Sequence, residues 1–176
     1  MRKSLVLTLL GPDRPGLVEA IAAVVAEHEG NWLESRMASL AGEFAGLLHV
    51  EVDESRAGDL ESALASLGEQ GLDLVVKEAA PEDSTEGELF TLELVGQDRP
   101  GIVREISQAL AGHGVNVEEL ESGRESAPMT GEILFRARAL LRLPNGGSPA
   151  EVQSALEAIG ADLMVDIELQ PLDRTG

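Results

Sequence analysis

The residues best equipped for chemistry occur twice. Gly11-Pro-Asp-Arg-Pro-Gly16 recurs as Gly96-Gln-Asp-Arg-Pro-Gly101, displaced by 85 residues. Each hexapeptide follows an apolar run and precedes residues with helical spacing. A helix start offers unpaired N–H groups and a positive dipole end, which suit a carboxylate. Asp13 or Asp98 in the same loop can balance an ammonium group. Asn31 and Asn116, just beyond the two helices, each bring a donor and an acceptor. The set is therefore compatible with a zwitterion such as a small amino acid. The plainer reading is a capped turn, in which Gly permits close packing, Pro fixes the chain direction and Arg lies on the surface. Retention of the four residues Asp-Arg-Pro-Gly in both copies weighs against a cap alone, which would accept Ser, Thr or Asn.

Other chemistries find little material. Cysteine is absent, which excludes disulfides, thiolate nucleophiles and Cys-bound metals. His28, His49 and His113 show no metal-binding spacing, and His28 and His113 sit near equivalent helix ends. Gly-x-Ser-x-Gly is missing. Pro12, Pro15 and Pro100 remove the backbone donors a phosphate cradle needs. No catalytic residue, metal ligand or cofactor is assigned.

The loops need elements to hold them. Over residues 4–35 the 85-residue displacement gives thirteen identities in 32 positions. They include Leu7/Leu92, Val18/Val103, Ile21/Ile106, His28/His113 and Asn31/Asn116. Each copy reads β-α-β-β-α-β. In the first, Ser4–Leu10 is a strand, with Asp13 as N-cap and Pro15 in the first turn of a helix carrying Val18, Ile21, Ala22 and Val25. Gly30-Asn31 ends it, the glycine taking the left-handed conformation. Trp32–Ala41 and Glu43–Val52 form a hairpin, Leu60, Leu64 and Leu67 a second helical stripe, and Leu72–Lys77 a closing strand.

The second copy runs Leu89–Val95, Arg99–Ala111, Val115–Gly123 with Glu132–Leu143, a helix opened by the Ser148–Glu151 capping box, and Asp162–Leu169. The expected fold is α+β: two ferredoxin-like domains, each a four-stranded antiparallel sheet with two helices on one face. The expected boundaries are 1–78 for the first domain, 79–87 for an acidic linker, 88–172 for the second domain and 173–176 for a tail.

Charge narrows the partners. The 176 residues carry 32 acidic and 13 basic side chains, a formal net charge of −19. Two lysines and eleven arginines build no basic face for a phosphate backbone, and Trp32, Phe44, Phe90 and Phe135 are too few for base stacking. No apolar run reaches the roughly 20 residues of a membrane span. Met1–Leu10 imitates a signal peptide, but its apolar stretch is short and Pro12 and Pro15 follow at once. The expected compartment is the cytoplasm. Acidic residues spread over both copies would also suit a salt-rich cytoplasm, where screening relieves self-repulsion.

The strand, the Gly-x-Asp-Arg-Pro-Gly-[Leu/Ile]-Val loop opening a helix, and the Asn at the helix end resemble the ACT domain, a small regulatory module that commonly binds amino acids. Two such domains filling residues 3–172 resemble the glycine cleavage system transcriptional repressor family. Ser35–Gly46, Ala127-Pro-Met-Thr-Gly131 and Val165–Leu172 add to the likeness. The resemblance implies ligand sites at Asp13, Arg14, Pro15, Gly16 and Asn31, and at Asp98, Arg99, Pro100, Gly101 and Asn116. It implies side-by-side domain pairing, either of the two copies or of two chains as a homodimer. It implies a small amino acid, with glycine the first candidate, and a regulatory protein partner through which DNA is reached indirectly.

Trp32 stands where the second copy has Val117, so a pocket there would differ in size between the copies. A free-standing amino-acid sensor for a metabolic enzyme or transporter is the alternative. An acylphosphatase-like enzyme is a minor one, because that fold class would pair Arg14 with Asn31, or Arg99 with Asn116, around a phosphate. Asp13 and Asp98 would repel that phosphate.

Overall fold

The computed structural model describes residues 1–80 and 86–172. Most of the expected 79–87 linker, and all of the 173–176 tail, lie outside the described residues. The chain divides into two compact units, Met1–Asp83 and Ser84–Gly176.

The first unit runs β1 (Arg2–Pro12), α1 (Leu17–Glu27), β2 (Asn31–Leu40), β3 (Glu43–Asp53), α2 (Glu54–Ser66), a 3₁₀ turn (Leu67–Gln70) and β4 (Asp73–Glu78). The second runs β5 (Glu88–Gln97), α3 (Ile102–Gly112), β6 (Asn116–Ser126), β7 (Ile133–Leu143), α4 (Pro149–Leu163) and β8 (Val165–Pro171). The sheets have the orders β2-β3-β1-β4 and β6-β7-β5-β8, and every pairing is antiparallel. This is the β-α-β-β-α-β plan in both copies, with the strand order of the ferredoxin-like fold.

Alternation makes each sheet two-sided. Leu5, Leu7 and Leu9 of β1 meet Leu48, Val50 and Val52 of β3 under Leu17, Ile21 and Val25 of α1 and Leu60 and Leu64 of α2. In the second unit Phe90, Leu92 and Leu94 meet Ala137, Ala139 and Leu141 under Ile102, Ile106, Leu110, Val152 and Leu156. Every one of these residues is less than a tenth exposed. Removing such surface from water is the main stabilising term of each unit.

Several local expectations change. Helix α1 begins at Leu17, with Gly16 as its cap at φ 90 and no side-chain cap. Asp13 and Pro15 therefore precede the helix rather than cap it. Val18 points outward, and Leu17 takes the inner position. At the other end Glu29 holds the left-handed backbone at φ 56, where the second copy has Gly114 at φ 68; Gly30 does not. Gly30 instead lies where a Cβ would come within 2.9 Å of Val25 Cγ1. Helix α4 runs through Asp162, so the last strand starts only at Val165.

The second helices have side-chain caps. The Glu151 N–H donates to Ser148 Oγ at 3.3 Å, the serine half of a capping box. Ser148→Ala should destabilise the second unit by about 1 kcal/mol in denaturant titration. Asp53 caps α2, and the Ser55 hydroxyl and N–H hold its carboxyl below the usual carboxylate range. That support is complete above the ordinary carboxylate pKa and is lost as pH falls through the lowered one. An Asp53→Ala chain should lack this share of the acid unfolding limb. Among the described residues no helix is long and apolar enough to cross a membrane.

Candidate functional site

The repeated hexapeptide is held at the same points in both units, by partners that differ in type. Gly11 lies next to the end of β1, where a Cβ would sit 2.5 Å from the Gly71 carbonyl oxygen, and a Cβ on Gly96 would sit 2.2 Å from Val165 Cγ1. The first glycine therefore lets the loop lie against the chain entering β4 or β8. The Asp13 N–H donates to the Gly42 carbonyl at 2.9 Å, and the Asp98 N–H to the Ile133 carbonyl at 2.9 Å. The Asp13 carboxylate accepts from the Ser39 hydroxyl at 2.6 Å. The Asp98 carboxylate meets Arg124 Nε at 2.7 Å. Both aspartates thus tie the loop to the far end of the neighbouring hairpin.

The arginines tie it elsewhere. Arg14 donates to the Gln70 carbonyl at 2.6 Å, and Arg99 to the Asp162 carbonyl at 3.3 Å. Both carbonyls lie at the end of the second helical segment, where unpaired C=O groups and the negative dipole end favour a cation. Neither α2 nor α4 has a basic residue in its own last turn. Pro15 and Pro100 lead into Gly16 and Gly101, whose φ values of 90 and 97 a side chain would resist. The first turns of α1 and α3 carry no side-chain cap, so their N–H ends stay open to an acceptor.

The asparagines are elsewhere. Asn31 pairs with Glu51, which stands opposite Ser4, whereas the loop follows Pro12 opposite Glu43. Eight strand residues separate these rows, roughly 26 Å. Asn116 pairs with Arg142 opposite Leu89, and its loop follows Gln97. Asn116 donates to Glu118 Oε1 at 2.9 Å. Within one unit, loop and asparagine lie at opposite ends of the sheet. They cannot grip one amino acid together there, nor can Arg14 and Asn31 converge on one phosphate.

The histidines beside the asparagines are bound to their own helices. His28 Nδ1–H donates to the Val24 carbonyl at 2.8 Å and His113 Nδ1–H to the Ala109 carbonyl at 2.9 Å. His49 Nε2 pairs with the Ser4 hydroxyl. No group of three or more His, Asp and Glu among the described residues is placed to hold a metal ion.

Trp32 and Val117 do differ in surroundings. Trp32 packs half-buried on the first core. Val117 lines an apolar pocket of about 40 Å³ in the second unit, with Val103, Ser107, Leu120 and Phe135. That pocket has room for a methyl-sized group and supplies almost no polar contact.

Sequence reasoning missed Ser39 and Arg124, the partners of the two aspartates. They are themselves 85 residues apart, so the same displacement that exposed the loops marks this pair, although their types differ.

The ACT-domain profile matches residues 3–77, and a second ACT-domain profile matches residues 90–160. The chain belongs to the ACT-domain family and carries two copies of the domain. Over 163 residues it is 25% identical to the glycine cleavage system transcriptional repressor of Escherichia coli (strain K12), covering 90% of this chain and 85% of that one. The UPF0237 protein MK1213 of Methanopyrus kandleri is 36% identical over 75 residues, 41% of this chain and 83% of that one. Among solved structures, an unknown protein from Galdieria sulphuraria matches with a TM-score of 0.85 and 30% identity, covering 98% of this chain and 100% of its own. A structure provisionally assigned as a glycine cleavage system transcriptional repressor gives 0.73 and 22%, covering 99% of each, and speaks to the fold.

Proposed function

We propose that this chain is an amino-acid-responsive regulator that represses glycine cleavage genes through a DNA-bound protein partner. The observation that supports this reading most is the extent of the match to the repressor: 90% of one chain against 85% of the other, both ACT domains included. A lone shared module would support a sensor of any kind.

The net charge of −19 favours the indirect route. An acidic surface is repelled by a phosphate backbone and attracted to a basic protein face. The test is a duplex titration at moderate salt. The isolated protein should not bind, and submicromolar salt-sensitive binding would sink the indirect route.

The ligand is a small amino acid, with glycine first. The uncapped N–H ends of α1 and α3 supply donors for its carboxylate, and the loop aspartates supply negative charge for its ammonium. Because Asp13 and Asn31 are held far apart, the loop and the asparagine of one unit belong to different sites, and a second copy of the chain would complete the loop site. A ligand bound that way shifts the pairing of domains only by its difference in affinity for the two arrangements.

A further inference from the structure

The two loops hold the same aspartate with partners of different charge. Ser39 lies opposite Phe44, which lies opposite Gly11. Arg124 lies opposite Phe135, which lies opposite Gly96. Ser39 and Arg124 therefore occupy one position of the repeat, level with the first glycine of the hexapeptide. From there each reaches the aspartate two residues beyond that glycine. The Ser39 hydroxyl donates a neutral hydrogen bond to Asp13 at 2.6 Å. Arg124 Nε meets the Asp98 carboxylate at 2.7 Å, so that pair is neutral as a whole. Asp13 is exposed, whereas the Asp98 side chain is 24% exposed beside its arginine.

Neighbouring charges lean the same way. Helix α1 carries Glu19 in its first turn, and the matching residue of α3 is Arg104. Arg14 and Arg99 are common to both loops and both turn to the second helical segment. Asp13, Arg14 and Glu19 leave the first loop with one net negative charge. Asp98, Arg99, Arg104, Glu105 and Arg124 leave the second with one net positive charge.

The two ends of a zwitterion meet this difference separately. Its carboxylate finds the same support in both units, an uncapped first turn preceded by a left-handed glycine. Its ammonium does not. At the first loop it approaches a carboxylate whose partner is a hydroxyl. At the second it must displace a guanidinium or share one carboxylate with it, and like charges that close repel.

We infer that the loops are unequal amino-acid sites, tight at Asp13 and weak at Asp98, and that the residue at position 39 or 124 sets the difference. This rests on the amino-acid reading above and assigns Arg124 a part in specificity. Calorimetry of the full chain with glycine tests it. Wild type should show two events whose affinities differ about tenfold or more. Asp13→Asn should remove the tight event and spare the weak one.

Reciprocal exchanges isolate the cause. Arg124→Ser gives the second loop the partner of the first and should raise the weak event to the affinity of the tight one. Ser39→Arg should lower the tight event to the weak one. Arg124→Lys keeps the charge and should leave the weak event weak. Acetate, a carboxylate without an ammonium, should gain nothing from Arg124→Ser. Each exchanged residue already serves in the other copy, and circular dichroism checks that the fold is kept. Two equal events in wild type would overturn the inference and leave the amino-acid reading standing. So would a second loop unimproved by Arg124→Ser, or one improved as much for acetate as for glycine. No heat from any proteinogenic amino acid in any of these chains would sink both.

Discussion

Alanine at Gly96 is expected to destabilise the second domain by about 2–3 kcal/mol, and alanine at Gly11 the first by a similar amount. A Cβ on Gly96 would meet Val165 at Cγ1, Cβ and Cα, at 2.2, 2.7 and 2.9 Å. Valine has no long flexible tail to swing away, so β8 or the loop must shift. On Gly11 the obstacle is the Gly71 carbonyl oxygen at 2.5 Å, which is backbone. In both units the strain falls where Arg14 and Arg99 fasten the loop to the second helical segment, so amino-acid binding should weaken along with stability. Gly58, inside α2 with nothing within 4 Å of a Cβ, is the control. Gly58→Ala should stabilise by about 0.5–1 kcal/mol, because alanine is the better helix former. Denaturant titration of the three variants separates close contact from a general intolerance of substitution.

Asp13→Asn should weaken amino-acid binding at the first loop at least tenfold, equivalent to about 1.4 kcal/mol, while stability changes by no more than about 0.5 kcal/mol. The substitution separates two duties of one side chain. The Asn carbonyl oxygen can still accept from the Ser39 hydroxyl, which reaches Asp13 at 2.6 Å. The hairpin tie survives, and only the negative charge available to an ammonium is removed. Ser39→Ala makes the reverse cut, losing the tie and keeping the carboxylate. If Asp13 recognises ligand, Asp13→Asn loses binding and Ser39→Ala largely keeps it. Equal loss in both would make the aspartate a clamp and nothing more. The first unit is the cleaner place for this comparison, because Asp98 is ion-paired with Arg124 at 2.7 Å. Neutralising Asp98 would strand a cation as well as remove a charge.

The elements were legible because their signals are local. Leu5, Leu7 and Leu9 alternate, Leu60 and Leu64 recur at helical spacing, and the repeat supplied each copy with a check from the other. The boundaries that moved did so for equally local reasons. Asp13 has the side chain of a helix cap, but Gly16 can adopt φ 90 and start the helix three residues later. Gly30 has the freedom for a left-handed turn, but Glu29 takes that conformation, and Gly30 is instead the position where Val25 and Val50 leave no room for a side chain.

The hexapeptide itself was conspicuous, yet the partners that hold it were not. Ser39 lies 26 residues from Asp13, and the Gln70 carbonyl lies 56 residues from Arg14. No pattern within the loop marks contacts that only the closed sheet creates. Asn31 was misleading in the opposite sense. It lies close to the loop's helix in sequence, but that helix, Leu17–Glu27, carries the chain to the other end of the sheet before β2 opens at Asn31.

Repetition of Gly-x-Asp-Arg-Pro-Gly therefore has two sources. Close approach, the positive φ of Gly16 and Gly101, and the two ties account for its retention as architecture. The open helix ends and the aspartate charge are what remains for a ligand. Isothermal titration calorimetry of the full chain against each proteinogenic amino acid, repeated with Asp13→Asn, decides whether that remainder is used. The account predicts saturable heat with a small amino acid, glycine first, reduced in the variant. No heat with any amino acid, together with no rise in melting temperature, would contradict it and leave the repeated loops as structural joints.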